Sequence, residues 1–225
     1  MRISVILPVL NEEKSIAPTL QTVTSLKPYE IIVVDGGSSD GTRGISAQLG
    51  GRVLVSERGR ARQMNCGARE ATGDVLLFLH ADTRLPSTAL ADIGAALSDP
   101  RVVGGRFDVE LDDDGWLLRV VGRMISLRSR ISRVGTGDQA IFVRREIFDK
   151  LGGFPDIPLM EDIAFSRALK RRGRVACLSS RVVTSARRWR TEGVGRTIVK
   201  MWALKTLYLL GVSPFRLKRF YGDGR

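Results

Sequence analysis

The strongest constraint in this 225-residue sequence is a repeated pairing of short aliphatic runs with charged or glycine-rich ends. EIIVVD at 30–35 passes directly into GGSSDG, and DVLLFL at 74–79 passes directly into HAD. A strand core with no polar face must be covered on both sides, as happens when helices sandwich a parallel sheet. The intervening segments fit that arrangement: residues 15–26, 42–49 and 60–71 have helical spacing, with Pro28 and Gly73 beyond two of their ends. Further strands are predicted at 3–7, 52–56 and 102–111, and Ser87 is placed as the N-cap of a helix running to Ser98. Repeated strand–helix–strand units connect by right-handed crossovers. The expected fold class is therefore α/β, a mostly parallel sheet with helices on both faces.

Beyond residue 111 the pattern loosens. Helices are predicted at 116–127, 145–151, 159–172 and 193–211, and strands at 140–143, 175–178 and 182–185, with Pro214 breaking the last helix. Neither an internal repeat nor a low-complexity linker interrupts the chain, so one domain over 1–225 is expected.

Charge is unevenly spread. The formal charge is +12, yet residues 1–165 carry a net −2 and residues 166–225 a net +14, opposed there only by Glu192 and Asp223. A histone-like binder is excluded by the near-neutral majority, and no recognition element with interleaved stacking aromatics supports nucleic acid as a partner. Cys66 and Cys177 lie far apart and His80 is the single histidine, which excludes a zinc finger and argues against a disulfide scaffold. The opening MRISVILPVLNEE turns polar too early for a signal peptide, and no apolar run approaches the length of a membrane span. A cytoplasmic setting is expected.

In such sheets ligands bind beyond the carboxyl ends of the strands. The residues standing there are 8–12, 35–40, 58–62 and 80–82, three groups with carboxylates and one basic. Gly-x-Gly-x-x-Gly and the Walker-type phosphate loop are both absent, and a lone histidine makes a hydrolase triad improbable. Asp35, followed by Gly36 and Gly37, can meet a ribose or base, or can simply end a strand in a turn. His80 and Asp82 emerge on one side of their strand. A carboxylate with an imidazole suits a divalent cation shared with phosphate, although both can equally serve the loop itself. Glu161 and Asp162 open a helix, a position that favours acids for dipole reasons and also suits a general base. Arg187, Arg188 and Arg190 around Trp189, and Arg58, Arg60 and Arg62 upstream, can stabilise a phosphate leaving group or form solvated basic loops.

Taken in order, these segments resemble the family 2 glycosyltransferases of GT-A fold. Ser4–Glu12 is similar to the opening strand, with Pro8, Asn11 and Glu12 at its end, and Val33–Thr42 to the nucleotide-binding turn. Asn65-x-Gly67-x-x-x-Ala71-x-Gly73-Asp74 precedes the metal strand, Leu79-His80-Ala81-Asp82 stands at the Asp-x-Asp position, and Gly152-Gly153-Phe154 with Glu161-Asp162 resembles the acceptor-side motif. Within the family the chain is similar to the short bacterial radical-SAM/selenodomain-associated transferases.

The resemblance implies inverting transfer of one sugar from a nucleoside diphosphate sugar to an acceptor hydroxyl. It places Pro8, Asn11, Glu12, Asp35, Gly36, Arg60, Arg62, Asn65, Ala81, Arg187 and Trp189 at the donor, with Asp82 and His80 on Mn2+ or Mg2+. Asp162, Glu161 and Arg188 become the catalytic group. It also divides the chain into a donor half (1–111), an acceptor-side half (112–192) and a basic C-terminal helix and tail (193–225). Two residues depart from the family pattern. His80 replaces the first Asp of Asp-x-Asp, and Ser185 stands where processive members carry Gln, which points to a single transfer per acceptor. The competing reading is a degenerate nucleotide-sugar binder. The apolar and basic residues of 194–212 fit either a helix packed on the core or another subunit, or one lying on an anionic membrane beside a lipid-linked acceptor.

Overall fold

A computed structural model describes residues 1–221; the last four residues of the expected basic tail lie outside the described residues. Strands β1 (Ile3–Val9), β2 (Glu30–Asp35), β3 (Arg52–Val55), β4 (Val75–Phe78), β5 (Thr83–Arg84), β6 (Val102–Leu111), β7 (Ile141–Arg144) and β8 (Arg174–Thr184) form one sheet in the order β3-β2-β1-β4-β7-β6-β8-β5. β3, β2, β1 and β4 pair in parallel, β6 and β8 do likewise, and only β7 and β5 run against the rest. The mostly parallel sheet expected from the sequence is therefore present.

Alternate residues of the apolar strands feed two cores, as a period of two requires. Val5, Leu7 and Val9 of β1 meet Ile16, Leu20 and Val23 of α1 (Glu13–Ser25) and Ile93 and Leu97 of α4 (Ala89–Leu97). On the opposite face, Ile6 joins Met64 and Ala68 of α3 (Arg60–Glu70), Phe148 of α6 (Arg145–Leu151) and Phe165 of α7 (Glu161–Leu169). α2 (Thr42–Gln48) links β2 to β3, and α5 (Trp116–Ser132) follows β6. The chain ends in α8 (Arg187–Glu192), α9 (Val194–Leu209) and α10 (Pro214–Tyr221).

The differences from the sequence reading are local. Thr88, not Ser87, precedes the first turn of α4. The strands expected at 175–178 and 182–185 are one strand, β8, whose register against β6 slips between Phe107 and Asp108, so an irregularity stands where a turn was expected. The helix expected at 159–172 is the shorter α7, because Met160 takes a left-handed φ of 68° and cannot extend it. The basic stretch 187–190 is helical, β5 is too short for periodicity to register, and α10 follows Pro214 because proline is well placed at a first turn.

α3 sits close to the sheet because Gly67 offers no side chain. A Cβ there would lie 2.6 Å from Ile6 Cγ2 and 2.9 Å from Val34 Cγ2. Gly67→Val should destabilise the fold by about 1–3 kcal/mol through overpacking, measured as a lower urea midpoint at unchanged m-value.

Candidate active site

The carboxyl ends of β1 and β2 are joined by side chains that sequence reasoning assigned to a ligand. Asn11 adopts the left-handed region (φ 52°), which asparagine tolerates well. Its amide N donates to Ser38 Oγ at 2.8 Å and its Oδ1 accepts from the Ser39 amide at 2.9 Å. Asp35 is fully buried. Its carboxylate accepts from the amides of Gly37 (3.1 Å) and Ser38 (3.0 Å) and from the Ser38 hydroxyl, with Arg43 Nε at 3.9 Å. Both residues therefore shape the turn itself. Gly36 packs on Gln63, whose Nε2 donates to the carbonyls of Val9 (2.7 Å) and Val34 (2.8 Å) and so ties α3 to both strand ends.

Asn65, two residues on, is a bracket between the two halves of the chain. Its Nδ2 donates to the Phe154 carbonyl at 2.8 Å, and its Oδ1 accepts from the Phe154 amide at 2.9 Å. This explains why an Asn in one motif accompanies a Gly-Gly-Phe in another. Arg62 adds a surface clamp to the same loop, with Nε 2.9 Å from Asp156 Oδ2 and a guanidinium N 2.5 Å from Glu57.

Beyond β4 the chain turns sharply, the Thr83 amide donating to the His80 carbonyl at 3.1 Å. Ala81 is buried and its carbonyl accepts from Thr19 Oγ1, so it serves the core, with His80 and Asp82 flanking it in sequence. Among the described residues the hydrogen bond at Asp82 uses its carbonyl, which accepts from the Ser185 amide at 3.1 Å. That bond places Asp82 beside the start of α8. There Arg187 reaches back to the buried Glu12 (3.6 Å), while Arg188 lies over the Tyr221 ring at 4.4 Å and donates to its hydroxyl. Trp189 packs against the cluster of Leu118, Val121 and Ala186, and Arg190 pairs with Asp113 at 2.8 Å.

The described residues contain no cluster of three or more His, Cys, Asp or Glu side chains. A divalent cation here would take most of its ligands from phosphate oxygens and water, as hard cations commonly do. The Asp82 carboxylate, unengaged by described donors, with an imidazole two residues away, fits that mode of holding.

The centre of the site is where two helix N-termini meet. Glu161 opens α7 and is buried; its Oε1 lies 3.1 Å from the guanidinium of Arg60, which opens α3. Burial opposes the charge on Arg60, but Glu161, Tyr221 and Asp162 outweigh it, so the guanidinium stays firmly protonated. Asp162 is half-buried, accepting from the Gly137 amide at 2.7 Å and the Ile163 amide at 2.7 Å. Burial first, and the neighbouring Glu161 second, push its carboxyl up to about 6; the amides and Arg60 oppose them. His80, Gly137, Arg60 and Asp162 all line one small cavity. Gly137 was missed by sequence reasoning. A Cβ there would overlap the His80 imidazole, a close approach that no local pattern announces.

A cleft of about 380 Å³ opens beside this cluster. Its walls are the strand end at Pro8 and Leu10, the start of α3 and the loop before α7, with Arg188, and Phe215, Lys218 and Tyr221 of α10 closing one side. Five basic side chains line it against two acidic ones, so it favours an anion. The contribution of α10 was also missed, because Phe215, Lys218 and Tyr221 lie more than 150 positions from Pro8 and from the start of α3.

A parallel-sheet core with an anion-attracting cleft at its strand ends is the arrangement of GT-A glycosyltransferases. The S. aureus TarS fragment 1–349 with UDP-GlcNAc superposes with a TM-score of 0.65 at 20% identity, covering 82% of this chain and 58% of that one. The mannosyltransferase PcManGT of Pyrobaculum calidifontis, with GDP-Man and Mn2+, gives 0.65 at 21% identity, covering 100% and 65%. Residues 4–152, about two thirds of the chain, match the sequence profile of glycosyl transferase family 2, and the chain belongs to that family. Glycosyltransferase AglE of Haloferax volcanii is 28% identical over 170 residues, covering 68% of this chain and 56% of its own length. The undecaprenyl-phosphate 4-deoxy-4-formamido-L-arabinose transferase of Serratia proteamaculans is 26% identical over 157 residues, covering 64% and 48%. The chain thus spans about half the length of the curated relatives it matches.

Arg60→Ala should cost about 3–5 kcal/mol, because it strands Glu161 in a buried position. Adding Glu161→Gln should recover part of that loss, and urea unfolding of both variants checks it.

Proposed function

We propose that the protein transfers a single sugar from a nucleoside diphosphate sugar to an acceptor hydroxyl, with inversion, with the help of a divalent metal ion. The observation that carries this reading is the Arg60–Glu161 pair, with Glu161 on a basic cleft and Asp162 on the small cavity that shares Arg60 with it. Neighbours in fold support the donor class, since the solved TarS and PcManGT structures contain UDP-GlcNAc and GDP-Man. The mannosyltransferase structure also holds Mn2+, which supports a metal here, with Asp82 and His80 as its protein ligands. When bound, Mn2+ or Mg2+ would neutralise charge on the diphosphate.

The chain's own residues account for the rest of the chemistry. One Asp162 carboxylate oxygen takes the proton of the acceptor hydroxyl while the hydroxyl oxygen bonds to the anomeric carbon. The bond from that carbon to the diphosphate oxygen breaks, and its electron pair leaves with the diphosphate. Attack opposite the leaving group inverts the centre. Arg188 and Arg187 stand on the Asp82 side of the site, where that negative charge develops. A carboxyl raised to about 6 is still ionised at neutral pH and is a stronger base than an ordinary aspartate.

In this reading residues 1–111 hold the donor, 112–192 present the acceptor, and 193–225 complete a single domain. Ser185, in place of the Gln of processive enzymes, supports one transfer per acceptor. The Serratia relative is named for undecaprenyl phosphate, which supports a lipid-linked acceptor and work at the cytoplasmic face of a membrane.

With a panel of nucleotide sugars and Mn2+, Asp162→Asn should lower turnover by roughly 10²–10⁴-fold. Unchanged release of nucleoside diphosphate would exclude Asp162 as the base. For the parent, kcat/KM should fall as pH drops below about 6, where Asp162 takes up its proton. Stability should move the other way. The raised carboxyl favours the folded state most at low pH, and that contribution is lost as pH rises towards about 6. Asp162→Asn should therefore unfold at the same or a higher temperature than the parent at neutral pH, even as its activity is lost.

A further inference from the structure

We infer that α5 and α9 together form a docking surface for an anionic lipid bilayer. This rests on exposed side chains and charge, and does not depend on the reading of the active site. In an ordinary surface helix the face opposite the core is polar. α5 is reversed. Leu118, Val121, Ser126 and Ser129 are buried, while Trp116, Val120, Met124, Leu127 and Ile131 are exposed. At about 100° per residue these five fall within an arc of about 80°, pointing away from the buried side. Trp116 is 70% exposed and Ile131 78%. Arg119, Arg123 and Arg130 follow one edge of the arc.

α9 carries further exposed apolar side chains. Its first turns join the same apolar cluster as α5, through Val194 and Ile198 beside Leu118 and Val121. α9 then buries Thr197 and Leu204 but leaves Val199 (69%) and Trp202 (68%) in solvent. α10 adds exposed Phe215 and Phe220 among Arg216, Lys218 and Arg219. One of the two expected readings, a helix packed on the core, holds for Thr197 and Leu204, while Val199 and Trp202 remain exposed.

Charge selects what covers it. Every charged residue of α5 (Arg119, Arg123, Arg128, Arg130) and of α9 (Arg196, Lys200, Lys205) is basic, so pairing two copies through this face would set like charge against like. An anionic bilayer offers the opposite sign, and tryptophans with flanking arginines are the side chains that settle at a membrane interface. No helix of the described residues is long and apolar enough to cross a membrane, so the surface would lie in the interfacial plane. Phe215 of α10 is likewise exposed while lining the cleft.

The test uses the full chain with vesicles of phosphatidylcholine, with and without phosphatidylglycerol. Binding is read by co-sedimentation and by quenching of tryptophan emission with brominated lipid. The parent should bind only the phosphatidylglycerol vesicles, more weakly in high salt, and should be quenched. Met124→Glu with Ile131→Glu should lower partitioning at least tenfold while the circular dichroism spectrum and melting temperature hold. Trp202→Glu, on the other helix, should give a comparable loss independently. Equal binding by these variants, or binding indifferent to phosphatidylglycerol, would overturn the proposal. So would a concentration-dependent dimer, in place of vesicle binding, that the same substitutions dissolve.

Discussion

The rest of the site depends on one buried ion pair, Arg60 with Glu161. The two residues open separate helices from opposite halves of the chain, and neither charge could be left alone at this depth without a large penalty. Their pairing leaves one carboxylate over. Asp162 sits beside Glu161 with only a share of the guanidinium, so its proton affinity rises. Stability and a raised proton affinity thus come from a single arrangement, in which the pair fixes the helices and the surplus carboxylate is the proposed base. The left-handed Met160 that ends the preceding loop belongs to the same device, because it turns both acids into the site at a cost on the order of 1 kcal/mol.

Around this centre the structure supplies rigidity of a kind that preorganised sites need. Gln63 bridges the ends of β1 and β2, Asn11 laces their two following loops, and Asn65 holds the Phe154 backbone on both sides. The basic helix α8 is anchored at Asp82 through Ser185 and at Glu12 through Arg187. Cation-rich walls therefore approach the cleft from three separate elements without relying on a long mobile loop.

Much of the fold was legible in the sequence because strands with no polar face admit few solutions. EIIVVD and DVLLFL could only be buried parallel strands, and the residues after them could only stand at the ligand end of the sheet. Glu161, Asp162 and Arg188 were expected in one catalytic group from motif order, whereas Arg60, expected at the donor, is found paired with Glu161. The assignment of individual roles was less legible. Asp35, Asn11 and Asn65 are polar residues at strand or helix ends, where binding a ligand and bonding to a neighbouring loop look alike in sequence. Only the tertiary partners separate the two, and those partners lie up to 89 residues away. Gly137 against His80 and Tyr221 against Arg188 were invisible for the same reason. Trp189 was drawn towards the site by its arginine neighbours, whereas its apolar area placed it against α5.

The central claim is that burial and the neighbouring Glu161, only partly offset by a shared guanidinium, give Asp162 its proton affinity, and a carboxyl-detected NMR titration of that residue tests it most directly. The carboxyl signal of Asp162 should titrate near 6 in the parent, and higher still when Arg60→Met removes the nearby positive charge. Titration at the ordinary aspartate value of about 3.9, or an Asp162 signal that ignores the loss of Arg60, would contradict the account.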